Sequence, residues 1–161
     1  MSVAIRKMTY EEFGQFYQWS VEQQAKELME ELHIAWEDAM KSAIAEISEM
    51  LPDGFHTKRH QLMTVVAEDE NAGFIWTLHE ETNGRMQSFI CDFAIWESQR
   101  RRGYGSAALY LAEKQAAEFG CRESVLFVKD NNAAAIALYQ KAGYRVLRQA
   151  GCGMYMIKQL L

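Results

Sequence analysis

Between Tyr10 and Leu51 apolar residues recur at helical spacing: Phe13, Tyr17, Val21, Leu28, Leu32, Trp36, Met40, Ile44, Ile47 and Leu51. One straight helix over Tyr10–Met50 would be about 60 Å long. A compact domain of 161 residues has a radius of gyration of about 15 Å and a diameter of about 40 Å. The run therefore has to bend, and a break around His33 to Ala35 predicts two helices. Thr9 and Glu12 have the spacing of a capping box at its start. Pro52-Asp-Gly54 stops it.

A short strand is expected before this run, over Val3 to Met8. After it, Leu62 to Glu68 and Ala72 to His79 read as strands around Asp69-Glu-Asn-Ala. Arg85 to Trp96 reads as a third strand after the turn signal Asn83-Gly84. Strict alternation in this third strand puts Phe89, Cys91, Phe93 and Ile95 on one face, with Ser88, Ile90, Asp92 and Ala94 on the other. Then come a helix (about Gly103 to Phe119), a strand (Glu123 to Val128), a helix (Asn132 to Ala142) and two strands (about Tyr144 to Gln149 and Met154 to Lys158). No repeat or low-complexity tract interrupts them. The predicted order β-αα-βββ-α-β-α-ββ is an α+β fold, a mixed and mostly antiparallel sheet with helices packed against it, as one domain over 1–161.

Charge and cysteine content narrow the function classes. A net charge of −5, with 24% charged and 49% hydrophobic residues, fits a globular chain and not a disordered one. The charge is unevenly spread: Glu22 to Glu49 holds eight acids against Lys26 and Lys41. An acidic chain has no general attraction to nucleic acid or anionic lipid, so neither partner is expected. No apolar run reaches the length of a membrane span and no signal-peptide core is visible, so a cytoplasmic protein is expected. Cys91, Cys121 and Cys152 have no CxxC spacing and no histidine cluster nearby, which predicts buried reduced thiols and no metal.

The chemistry is concentrated in two places. The first is Arg100-Arg101-Arg102-Gly103-Tyr104-Gly105-Ser106, between a strand and a helix. Glycines let backbone amides approach a ligand there, and a helix N-terminus offers unpaired N–H groups in a positive field. Three arginines strengthen such an anion site. A Walker loop is excluded because no lysine precedes Ser106, and a dinucleotide fingerprint because Ala108 stands where its third glycine belongs. The second place is Asn132-Ala-Ala-Ala135-Ile-Ala-Leu138-Tyr139-Gln-Lys-Ala-Gly143-Tyr144, in which Asn131 or Asn132 can cap the helix.

With these two segments the chain resembles the GNAT superfamily of acetyl-CoA-dependent N-acetyltransferases. Arg100-x-x-Gly103-x-Gly105 matches that family's glycine loop, and Asn132-x-x-Ala135-x-x-Leu138-Tyr139 its second motif. The asparagine-alanine helix looks like that of ribosomal-protein alanine acetyltransferases, whereas Asp92-Phe-Ala-Ile95 looks more like polyamine-type members.

The resemblance implies that the pyrophosphate of acetyl-CoA sits on the amides of Arg101 to Ser106, beside Arg100. It implies that the pantetheine pairs with Phe93, Ala94 and Ile95, where an amide also polarises the thioester carbonyl as an oxyanion hole does. Asn132, with Ala135 one turn on, matches the cofactor-contacting part of the motif. Tyr139 matches the general acid that protonates the departing thiolate, a role its hydroxyl suits at neutral pH. Asp92 is the candidate base, directly or through water, with Glu68 and His79 as other relay groups. Relatives place a glutamate at the position of Phe127 or near Phe89, and this chain has neither.

The expected function is transfer of acetyl from acetyl-CoA to a primary amine, by direct attack in a ternary complex and without a cysteine nucleophile. The acceptor is a small amine, polyamine or peptide amine, cationic and drawn by the acidic Glu22–Glu49 segment; Trp36 could line its pocket. A non-catalytic acyl-CoA sensor is the alternative, and a homodimer is compatible with the sequence.

Overall fold

The computed structural model describes residues 2–160. They form two compact units, 8–58 as one and 2–7 with 59–160 as the other.

The first unit is a helical pair. Thr9 caps α1 (Tyr10–Leu32): its side chain accepts from the Glu12 amide, and Glu12 reaches back to the Thr9 amide, completing the capping box. The break falls where the length argument puts it. His33 takes a left-handed conformation and closes α1 by donating its N–H to the Met29 carbonyl. Three residues later α2 (Trp36–Met50) begins with Glu37 and Asp38 in its first turn, where the helix dipole favours acids. The helices run antiparallel. Tyr17 Oη and Ser48 Oγ are 2.7 Å apart, and Gln24 Nε2 donates to Glu46 Oε2 at 2.6 Å. Trp36, the candidate for lining an acceptor pocket, is 40% exposed.

The second unit is a seven-stranded sheet in the order β1-β2-β3-β4-β5-β7-β6. Its strands are β1 (Val3–Lys7), β2 (His60–Ala67), β3 (Glu70–Thr82), β4 (Arg85–Ile95), β5 (Glu123–Lys129), β6 (Arg145–Ala150) and β7 (Gly153–Gln159). Every neighbouring pair is antiparallel except β4 with β5. A parallel pair needs a crossover, and α3 (Tyr104–Phe119) supplies it. α4 (Ala133–Lys141) follows β5. The element order is the one read from the sequence.

The core lies between the sheet and α3. Leu109, Ala108 and Ala112 of α3 pack with Val65, Ile75, Ile90, Leu126 and Met156 from five strands. Gly73 is dictated by sheet geometry: a Cβ there would collide with the carbonyl oxygen of Ala94 on β4. Among the described residues no helix is long and apolar enough to cross a membrane.

One expectation about β4 is corrected. Trp76 pairs with Asp92 and Thr77 with Ile90, so Cys91 is an extra residue, a β-bulge. The bulge resets the alternation. Phe93 and Ile95 pack against the same core as Ile90, not with Phe89. Phe89 and Asp92 pair with Leu78 and Trp76, alternate residues of β3, and so share the other face.

Candidate active site

After Ile90 the sheet divides. β4 pairs with β5 only over Gln87–Ile90 against Glu123–Leu126. Beyond that, Phe93 to Ile95 stay paired with β3, while Phe127 to Lys129 stay paired with β7. The β5-facing edge of Phe93 to Ile95 therefore lines a split in the sheet, with no β5 residue in register opposite it.

The glycine loop stands at the end of this edge. Arg100 ties it down by donating its Nε to the Ile95 carbonyl at 2.8 Å. Arg101 (φ 64°) and Gly103 (φ 80°) are both left-handed, and Gly103 is the N-cap of α3 without a side-chain cap bond. Ala107 is the first residue of α3 to donate to a helical acceptor, the Gly103 carbonyl at 3.2 Å. The amides of Tyr104, Gly105 and Ser106 thus lie in the uncapped first turn, where the dipole is positive. Tyr104 is buried and anchors the turn, while Arg101, Arg102 and Ser106 are exposed. A Cβ at Gly105 would meet Ile95 Cγ1 and Leu138 Cδ2 at 3.8 Å, an ordinary contact. Folding does not demand glycine at 105, and the missing side chain leaves room for a ligand to approach the first turn. From Ser106 a groove of about 200 Å³ is lined by Tyr110, Glu113, Lys141, Ala142 and Lys158, with Lys158 paired to Glu113 at 2.8 Å. These donors and cations fit a polyanion.

α4 brings Tyr139 to the split. Asn132, not Asn131, caps the helix, its Oδ1 accepting from the Ala135 amide at 3.2 Å. That bond occupies the oxygen and leaves the NH2 as the part suited to a ligand. Tyr139 is buried, its ring 5.6 Å from that of Tyr144 in an edge contact. Burial first, and the Asp92 charge second, push its hydroxyl well above the ordinary tyrosine range. It therefore holds its proton at neutral pH. Asp92 is partly buried and accepts the Phe93 amide at 2.9 Å on Oδ1. Its influence on Tyr139 means that a carboxylate and a phenol share one field at the split, the pairing expected of a base and an acid.

Other candidates are not brought together. Glu68 lies in the β2–β3 turn and accepts from the Ser2 amide. His79 is buried with its ring 4.9 Å from Phe119 of α3, and burial lowers its pKa, so it stays neutral on the side of the sheet away from Asp92. Cys91 is inert. Burial, then the charges of Asp92 and Glu80, hold its thiol far above the usual value. Cys152, expected to be buried, is exposed. Among the described residues no group of three or more His, Cys, Asp or Glu is placed to hold a metal ion.

An aromatic floor that the sequence reading overlooked lies on the Asp92 face. The rings of Phe89 and Phe127 are 6.5 and 5.1 Å from that of Tyr155, and the Arg148 guanidinium lies 4.3 Å over Tyr155. Its signal was the alternation of Val125 with Phe127 and of Tyr155 with Ile157.

Residues 10–144 match the model of the acetyltransferase (GNAT) family. An uncharacterized N-acetyltransferase of Bacillus subtilis, YycN, is 27% identical over 146 residues, 90% of this chain and 94% of that one. Its crystal structure superposes with a TM-score of 0.85 at 25% identity, covering 93% and 96% of the two chains. The PaiA N-acetyltransferase of Thermoplasma acidophilum, solved in complex with coenzyme A, gives 0.73 at 22% identity over 99% of both chains. The spermidine N-acetyltransferase of Vibrio cholerae, solved with CoA and spermine, gives 0.70 at 13% identity over 98% and 95%.

Proposed function

The chain belongs to the GNAT acetyltransferase family, and from that premise we propose that it transfers acetyl from acetyl-CoA to a primary amine by direct attack in a ternary complex. The supporting observation is the split between β4 and β5, with the Asp92 carboxylate and the Tyr139 hydroxyl in one field beside it.

Acetyl-CoA supplies the activated acetyl thioester. The amides of Arg101 to Ser106 bind its pyrophosphate, with Arg101 and Arg102 as counter-charges and Lys141 in the adjoining groove. The open edge of Phe93 to Ile95 aligns the pantetheine, and one of its amides donates to the thioester carbonyl oxygen. Asn132 contacts the same arm through its NH2. Asp92 takes the proton from the acceptor amine, directly or through one water, as the nitrogen attacks the carbonyl carbon. Tyr139 Oη gives its proton to the sulfur as the carbon–sulfur bond breaks. Solvent returns the proton held by Asp92 to Tyr139, and no residue carries the acetyl group.

An amine acceptor is supported by composition and by likeness. The Glu22–Glu49 segment is rich in acids, which draw cations from solution, and a relative of this fold is a spermidine acetyltransferase. We place the reaction in the cytoplasm and in one catalytic domain.

Initial velocities measured with both substrates varied test the direct transfer. Expected are intersecting reciprocal plots and full retention of activity in Cys91→Ala. Parallel plots, the mark of an acetylated enzyme, would overturn it.

A further inference from the structure

We propose that the acceptor is zwitterionic: a primary amine joined through an apolar or aromatic body to a carboxylate at least about 10 Å away. This rests on the active-site reading above and names the class of acceptor.

The inference comes from the order of chemistry across one sheet face. Asp92 on β4 stands at one end. Phe89, Phe127 and Tyr155 form the middle, and Phe127 is 37% exposed although its neighbours Leu126 and Val128 are buried. A phenylalanine facing solvent beside a catalytic split gains its burial from whatever lies on it. Arg148 closes the other end. Its guanidinium carbon lies 4.3 Å from the centre of the Tyr155 ring, a contact that holds the group over the floor and leaves N–H donors for an acid. Arg145 pairs with Ile157 and Arg148 with Tyr155, alternate residues of β7, so both arginines belong to this face.

The resulting sequence is acid, aromatic, cation. A polyamine would meet like charge at the β6 end, whereas a carboxylate would be matched there. Where β4 and β5 are still paired, two strand spacings, about 10 Å, separate β4 from the β7 strand under Arg148, and beyond Ile90 the split adds to that. An extended three-residue peptide spans about 10 Å. A short peptide with an apolar second residue therefore sets its amine at Asp92, its side chain on the floor and its terminal carboxylate at Arg148.

The test compares three acceptors by CoA release: Ala-Phe-Ala as the acid, the same peptide as its C-terminal amide, and spermidine. Expected is a preference of about tenfold in kcat/KM for the acid over the amide, carried by KM. Arg148→Gln should lower kcat/KM for the acid more than for the amide and so erase that preference, and Arg148→Lys should restore part of it. Arg148 is exposed, so the thermal midpoint should hold in both variants. Equal rates for acid and amide, an equal loss on both in Arg148→Gln, or spermidine as the best acceptor would overturn the proposal. Silence with all three overturns it as well. Turnover of other amines in that case leaves the acetyltransferase reading standing, and silence with every amine removes both.

Discussion

Replacing Tyr139 with phenylalanine should lower kcat for amine acetylation about a hundredfold, the lower range for loss of a general acid, while the KM for acetyl-CoA changes by less than about twofold. The substitution is clean because the ring does the packing. It lies against Tyr144, and no hydrogen bond from the Tyr139 hydroxyl is found among the described residues. The folded protein should therefore melt as wild type does. The pH profile carries a second expectation. Burial and Asp92 both raise the Tyr139 pKa above its ordinary value, so the acid form persists throughout the neutral range. Loss of activity from deprotonation of Tyr139 should then begin only above about pH 10, the unperturbed tyrosine value. A wild-type alkaline limb near pH 8 that vanishes in Tyr139→Phe would contradict this assignment. So would unchanged turnover in the variant.

Gly105→Trp should abolish cofactor binding. At a hundred times its Kd, a ligand stabilises the native state by about 2.7 kcal/mol. For a chain of this length that raises the melting temperature by roughly 5–10 °C. Wild type should show that shift with acetyl-CoA, and Gly105→Trp should show none. Gly105→Ala is the control, because a Cβ at 105 makes only ordinary contacts with Ile95 and Leu138. The alanine variant should fold as wild type and lose part of the shift, in proportion to how closely the ligand approaches. Gly103→Trp should also lose the shift, but it is the poorer probe. Its left-handed φ of 80° strains any side chain, so lost binding and lost folding are harder to separate there. A normal shift in Gly105→Trp would move the anion site away from the first turn of α3.

Much of this was legible in the sequence, for identifiable reasons. That the helical run must break followed from length alone, because a helix through Met50 outgrows the domain. The capping box of Thr9 and Glu12 and the αL glycine ahead of α3 are local devices, written within a few residues of where they act. The faces of β4 were not legible. Alternation assumes an uninterrupted pleat, and the bulge at Cys91 is set by pairing with Trp76 on β3, a residue distant in the chain. The end of β4–β5 pairing at Ile90 is likewise a property of two strands and not of either one. The sequence reading took Phe89 and Phe127 as missing carboxylates. In three dimensions they are a surface in their own right, completed by Tyr155 and Arg148 from strands at the far end of the chain.

The uneven charge has a similar lesson. The acids of Glu22–Glu49 dominate the net −5, yet the loop before α3 and the β6 edge are basic. Net charge describes neither of these local surfaces.

The most direct measurement is product analysis with the full chain. Acetyl-CoA is incubated with a set of short peptides, amino acids and polyamines, and acetylated amines are identified by mass while released CoA is counted. Expected is one acetylated amine for each CoA released, confined to acceptors with a primary amine and strongest for those that also carry a carboxylate. Binding of acetyl-CoA with no acetylated amine anywhere in the set would contradict direct transfer at the β4–β5 split.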